Sequence, residues 1–74
     1  MTYSPPHPVI VELTRIRRAK GLTQQNVADR MSVSRSWIGR LETRGVNHTL
    51  AVVEAYATAV GAFLLIGFHP GAKP

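Results

Sequence analysis

Residues 23–42 read TQQNVADRMSVSRSWIGRLE, and this stretch decides the fold. Val27, Ala28 and Met31 recur at i, i+1 and i+4, and Ile38 and Leu41 at i and i+3, the spacing of two short helices with one apolar face each. Residues 32–34 form a three-residue turn between them, in which Val33 is the one apolar side chain. Helices joined this tightly cross at a steep angle and share one small core. Ala28 matters at that crossing, because a larger side chain would push the helices apart. With Ile38 and Leu41 inward, the second helix turns Arg35, Ser36, Trp37, Gly39 and Arg40 outward. Two guanidinium groups and a hydroxyl on an exposed short helix suit the base edges of a major groove.

The flanks punctuate two further helices. Pro8 suits a first helical turn, where its missing N–H would have had no partner. The pattern predicts a helix over Pro8–Ala19, with Ile10, Leu13 and Ile16 inward and Gly21 ending it. Thr23 and Ser34 are natural N-caps for the second and third helices. Asn47 or Thr49 caps a fourth, in which Leu50, Val53, Tyr56, Ala57 and Val60 form the inward stripe and Gly61 is the stop. Residues 1–7 lack periodicity and read as a flexible arm, residues 8–69 as one domain, and residues 70–74 as a fraying tail.

Within that domain, residues 62–68 form a separate apolar run. Gly61 and Gly67 bracket Phe63, Leu64, Leu65 and Ile66, good strand formers in so short a segment, and a strand is the preferred reading over a fifth helix. An edge this apolar needs to be paired or covered. Two copies could pair through Phe63, Leu64, Leu65, Ile66 and Phe68. The expected fold is therefore mainly α: a compact bundle of four helices with a short C-terminal strand, or a fifth helix, for dimerisation.

Composition bounds the function. A chain of 74 residues holds one domain with a small core, so stabilisation by a partner is plausible. Its net charge of +5 is concentrated: residues 15–44 hold eight Lys and Arg against Asp29 and Glu42, a local charge of +6. A basic block coincident with the two-helix motif is the footprint of a phosphate-binding face. There is no cysteine, which removes disulfides and thiolate metal sites. Residues 1–8 contain no apolar signal core and residues 62–68 are too few to span a bilayer, so a cytoplasmic protein with no membrane partner is expected. The carboxylates Glu12, Asp29, Glu42 and Glu54 and the histidines His7, His48 and His69 are widely separated. They form no metal-ligand spacing, paired-carboxylate site or nucleophile with a base. An enzyme is not expected, nor a metal, cofactor or small-molecule ligand.

Residues 13–61 resemble the phage repressor and Cro-like (lambda-repressor-like) helix-turn-helix family. The likeness is carried by QQNVADRMSVSRSWIGRL at 24–41, RRAKGLTQ before it, LETRG after it and TLAVVEAYATAVG at 49–61, with no gap needed. Two departures are Ser32, where the family usually has Gly and a positive φ is expected, and Arg44, where it prefers Gly directly after the third helix. The resemblance implies that Arg35, Ser36 and Arg40 fall on base-reading positions, in agreement with their outward placement. Gln24 and Gln25 open the second helix, where backbone N–H groups and side-chain amides can hold a phosphate. In the family the residue matching Gln24 also braces the first reading residue. Thr43, Arg44 and Asn47 follow the reading helix and are placed on the DNA backbone. Trp37 is assigned to the DNA edge, the alternative being a cover for Tyr56 or the turn. The family also pairs the residue matching Arg17 with the one matching Glu42, which implies a structural ion pair.

These expectations converge on sequence-specific binding of double-stranded DNA by a homodimeric, Cro-like repressor acting on a palindromic operator. The alternative is an antitoxin that neutralises a toxin protein and represses its own operon, with part of the C-terminal run as the toxin site. A pure interaction module is the weaker rival, because it leaves the basic reading face without a use.

Overall fold

The computed structural model describes residues 6–44 and 49–62. Four helices follow in order: α1 Pro8–Ala19, α2 Gln24–Met31, α3 Arg35–Thr43 and α4 Leu50–Ala59. There is no strand among the described residues. Asn47 and the apolar run beyond Ala62, with Phe63, Leu64, Leu65, Ile66 and Phe68, lie outside them.

Each helix begins where a side chain can take an amide that the helix itself leaves unpaired. Thr23 accepts from the Asn26 amide (3.0 Å), and Asn26 in turn accepts from the Thr23 amide (2.9 Å), a reciprocal box that fixes the start of α2. Ser34 accepts from Trp37 N–H at 3.1 Å, and Thr49 from Val52 N–H at 3.2 Å. For α1 the cap is His7, whose Nδ1 accepts from Val9 N–H at 3.1 Å, with Pro8 next in the chain.

Three helices end by one device. After α1 the Leu22 amide reaches back to the Arg17 carbonyl, after α2 Val33 reaches Ala28, and after α4 Ala62 reaches Ala57, with lengths of 3.0, 3.0 and 2.9 Å. Each reversal needs a left-handed residue just before the donor. Those residues are Gly21 (φ +74°), Ser32 (φ +58°) and Gly61 (φ +76°). The positive φ expected at Ser32 is therefore present, so the turn between α2 and α3 closes despite the missing glycine.

Packing follows from these starts and stops. Helix α2 lies against α3 and α4, and α1 lies against the same two. Ile10 and Leu13 of α1, Val27 and Ala28 of α2, Ile38 and Leu41 of α3, and Val53, Tyr56, Ala57, Ala59 and Val60 at α4 make one core, with Ile16, Met31 and Val33 packed around it. Leu50 departs from the expected inward stripe, being 56% exposed. Helix α4 is apolar around most of its circumference, LAVVEAYATA, so periodicity does not single out one inward side. Among the described residues no helix is long and apolar enough to cross a membrane.

Candidate nucleic-acid interface

Helix α3 is held by one side and offered by the other. Ile38, Leu41 and Glu42 are buried, whereas Arg35, Ser36, Arg40 and Thr43 are exposed. Trp37 is half-buried against the core at the first turn of the helix, and Gly39 is half-buried beside Gln24. Ser36 Oγ lies 3.3 Å from the capping Ser34 Oγ, and Thr43 donates to the Gly39 carbonyl at 2.7 Å. The sequence-derived base-reading set thus stands together on one solvent-facing surface.

What holds α3 is a carboxylate. Glu42 accepts from Arg17 Nε at 2.7 Å, Arg17 Nη2 at 3.0 Å, Gln24 Nε2 at 3.0 Å and the Tyr56 hydroxyl. Those donors come from α1, α2 and α4, so one side chain of α3 is bonded to every other helix. Arg17 Nη1 also donates to the Leu22 carbonyl at 2.7 Å, and Tyr56 Oη lies 3.0 Å from Thr14 Oγ1, which itself donates to the Ile10 carbonyl at 2.8 Å. The structural ion pair implied for Arg17 and Glu42 is therefore present, with Gln24, Tyr56 and Thr14 joined to it.

Titration in this cluster is set by competition between burial and bonding. Burial pushes the Glu42 carboxyl up, but the bonds from Arg17, Tyr56 and Gln24 outweigh it and hold the group below its ordinary range. Burial likewise opposes the charged form of Arg17, and Glu42 more than compensates. The Tyr56 phenol is pushed up to about 12 by burial and by its bond to Glu42. All three groups consequently keep their neutral-pH charge states.

The basic block divides in two. Arg15 pairs with Glu12 along α1, Arg17 with Glu42, and two cations cap the end of α4. Lys20 Nζ donates to the Val60 and Gly61 carbonyls at 3.0 and 2.9 Å, and Arg30 Nη1 to the Ala59 carbonyl at 2.7 Å. The Ala59 and Val60 carbonyls are acceptors that the C-terminus of α4 leaves unpaired at its negative dipole end, and the Gly61 carbonyl follows directly beyond it. No local signal marks Lys20 or Arg30 for this, since their acceptors lie 40, 41 and 29 residues away. Arg18, Arg35, Arg40 and Arg44 are exposed and have no hydrogen-bond or ion-pair partner among the described residues.

Two of those four share a cleft at the junction of α1, α2 and α3, lined by Arg17, Arg18, Leu22, Gln24, Gln25 and Arg35. The glutamines placed on the DNA backbone by sequence line it, each with one of its two amide N–H groups engaged within the fold. Gln24 donates to Glu42, and Gln25 donates to Asp29 Oδ1 at 2.8 Å. Arg44 ends α3 in extended backbone (φ −134°, ψ 156°), so the expected glycine is not required at that residue.

No curated protein and no solved structure matches the chain. A family model described as a helix-turn-helix domain matches residues 11–63, which takes in the α2–turn–α3 unit, the Arg17–Glu42 cluster and all of α4. That span is most of the chain, and it coincides with the elements that bury one face of α3 and expose the other: the chain belongs to the helix-turn-helix domain family.

Proposed function

We propose that the chain binds double-stranded DNA sequence-specifically as a homodimer and represses transcription from a palindromic operator, in the manner of Cro-like phage regulators. The observation that carries this reading is the joint exposure of Arg35, Ser36 and Arg40 on α3, opposite the buried Ile38 and Leu41. Laid in a major groove, the two arginines suit bidentate bonding to guanine, each such contact worth about 1–3 kcal/mol of discrimination. Arg44 and Thr43 at the far end of α3, with Asn47 after it, serve the phosphates and set the register. Trp37 presents its exposed part to the sugar-phosphate edge. One domain covers about half an operator, so a second copy is needed about 34 Å along the duplex. Residues 62–68 are proposed as the pairing segment. The role is binding without catalysis, cofactor or metal.

Selection of bound duplexes from a random library tests this directly. Two-fold symmetric sites containing G·C pairs are expected. On the selected site and on scrambled DNA, Arg35→Ala and Arg40→Ala should relax preference, whereas Arg44→Ala should weaken both duplexes alike. No enrichment from the library, or equal losses on both duplexes for Arg35→Ala, would overturn the assignment of the reading face. Sedimentation tests the dimer, and a monomer at micromolar concentration would remove it.

A further inference from the structure

We propose that Arg18 is a phosphate clamp, which holds one phosphodiester of the duplex at the mouth of the cleft between α1 and α3, beside Arg35, and so fixes the register of the reading helix. The inference rests on the duplex-binding reading and names a residue that the reading face does not include.

Charge and hydrogen-bond accounting in the cleft lead to Arg18. Three guanidinium groups line it, and Arg17 is neutralised by Glu42 and bonded to the Leu22 carbonyl. Gln24 and Gln25 each use one amide N–H within the fold, on Glu42 and Asp29, and neither carries a charge to match an anion. Glu42 already accepts four hydrogen bonds, so it offers little to draw Arg18 or Arg35 inward. Two exposed positive charges therefore face the cleft with no acceptor among the described residues, one from the last turn of α1 and one from the first residue of α3. A phosphodiester carries one negative charge and two acceptor oxygens, which suits the forked donors of the Arg18 guanidinium, and the positive charge of Arg35 across the cleft favours an anion there. A phosphate so held ties α3 to α1 through the DNA backbone. Since such a contact carries no sequence information, Arg18 acts by positioning.

The experiment is a salt titration of duplex binding by the full chain, wild type, Arg18→Ala and Arg18→Lys, on the selected operator and on scrambled DNA. Arg18→Ala is expected to bind both duplexes about tenfold more weakly. Its slope of log K against log salt should be smaller by about 1 per subunit, while Arg18→Lys keeps the slope. Operators carrying one neutral methylphosphonate per half-site then locate the contact. At one position the substitution should weaken wild type by the same factor and leave Arg18→Ala unaffected. Unchanged melting of the free variants is expected from the exposure of Arg18 and separates this loss from a folding defect. An unaltered slope for Arg18→Ala, or methylphosphonates that weaken the variant as much as wild type at every position, would overturn the clamp alone. Wild type that binds no duplex would overturn the clamp together with the DNA-binding reading. Inorganic phosphate provides the remaining arm: saturable Arg18 side-chain NMR shifts with no competition against duplex would assign the cleft to a free anion, against the proposal.

Discussion

At the residue scale, Glu42 is the point on which the domain depends. A buried carboxylate is tolerated when its lone pairs are filled, and here four donors fill them. Arg17→Met should cost about 3–5 kcal/mol, because it leaves that charge buried beside only Tyr56 and Gln24. The double variant Arg17→Met/Glu42→Leu should lose less than the sum of its single variants, since neither charge remains to be stranded. Urea denaturation of the three proteins measures this, and additive losses would mean the pair is not coupled. The same carboxylate makes stability depend on pH. Its folded value lies below the ordinary 4.5, so its contribution is complete above that value and is lost as pH falls through the folded one. Tyr56 works in the opposite sense: its folded value is raised from 10.0 to about 12, so stability is lost as pH rises through that interval. Glu42→Gln should flatten the acid limb and leave most of the alkaline one.

At the element scale, helix ends were the most legible part of the chain, because capping chemistry is local. Thr23, Ser34, Thr49, Gly21 and Gly61 each act within a few residues of themselves, and all five stand where their residue types predict. Leu50 was misplaced, since an apolar first turn on an apolar helix carries no directional information. The Arg17–Glu42 pair, 25 residues apart, came from family resemblance, and spacing could not have supplied it. Tyr56 read as plain core because its burial was visible in the periodicity and the partner of its hydroxyl was not. The cations that cap α4 were hidden for the same reason, their acceptors being distant in sequence. The left-handed positions give a paired prediction. Ser32→Gly should stabilise by about 1 kcal/mol, relieving a side chain held at φ +58°. Gly61→Ala should destabilise by at least as much, since its Cβ would meet Lys20 Nζ at 2.8 Å as well as bearing the positive φ. Melting temperatures of both variants decide it, and a shift in the same direction for the two would contradict the assignment.

At the scale of the whole molecule, the distribution of charge is more informative than its total. Four cations of the basic block are bonded to acceptors of the chain itself, leaving Arg18, Arg35, Arg40 and Arg44 without one among the described residues. At about −0.9 per phosphate, these four set a salt slope no steeper than about −3.6 per subunit, half of what the full block would give. A measured slope of about −5.4 would show that Lys20 and Arg30 leave α4 to meet DNA. Lys20→Met and Arg30→Met should lower the melting temperature and leave the slope nearly intact. The bond from every helix to one carboxylate has a kinetic consequence of its own. In a bundle tied side by side, an end helix can detach and reattach while the rest persists. Here detaching any helix strips a donor from the same buried anion, so partial opening is penalised at once in all four elements. Native-state hydrogen exchange should find the slowest amides of α1, α2, α3 and α4 sharing one opening free energy, the domain behaving as a single cooperative unit.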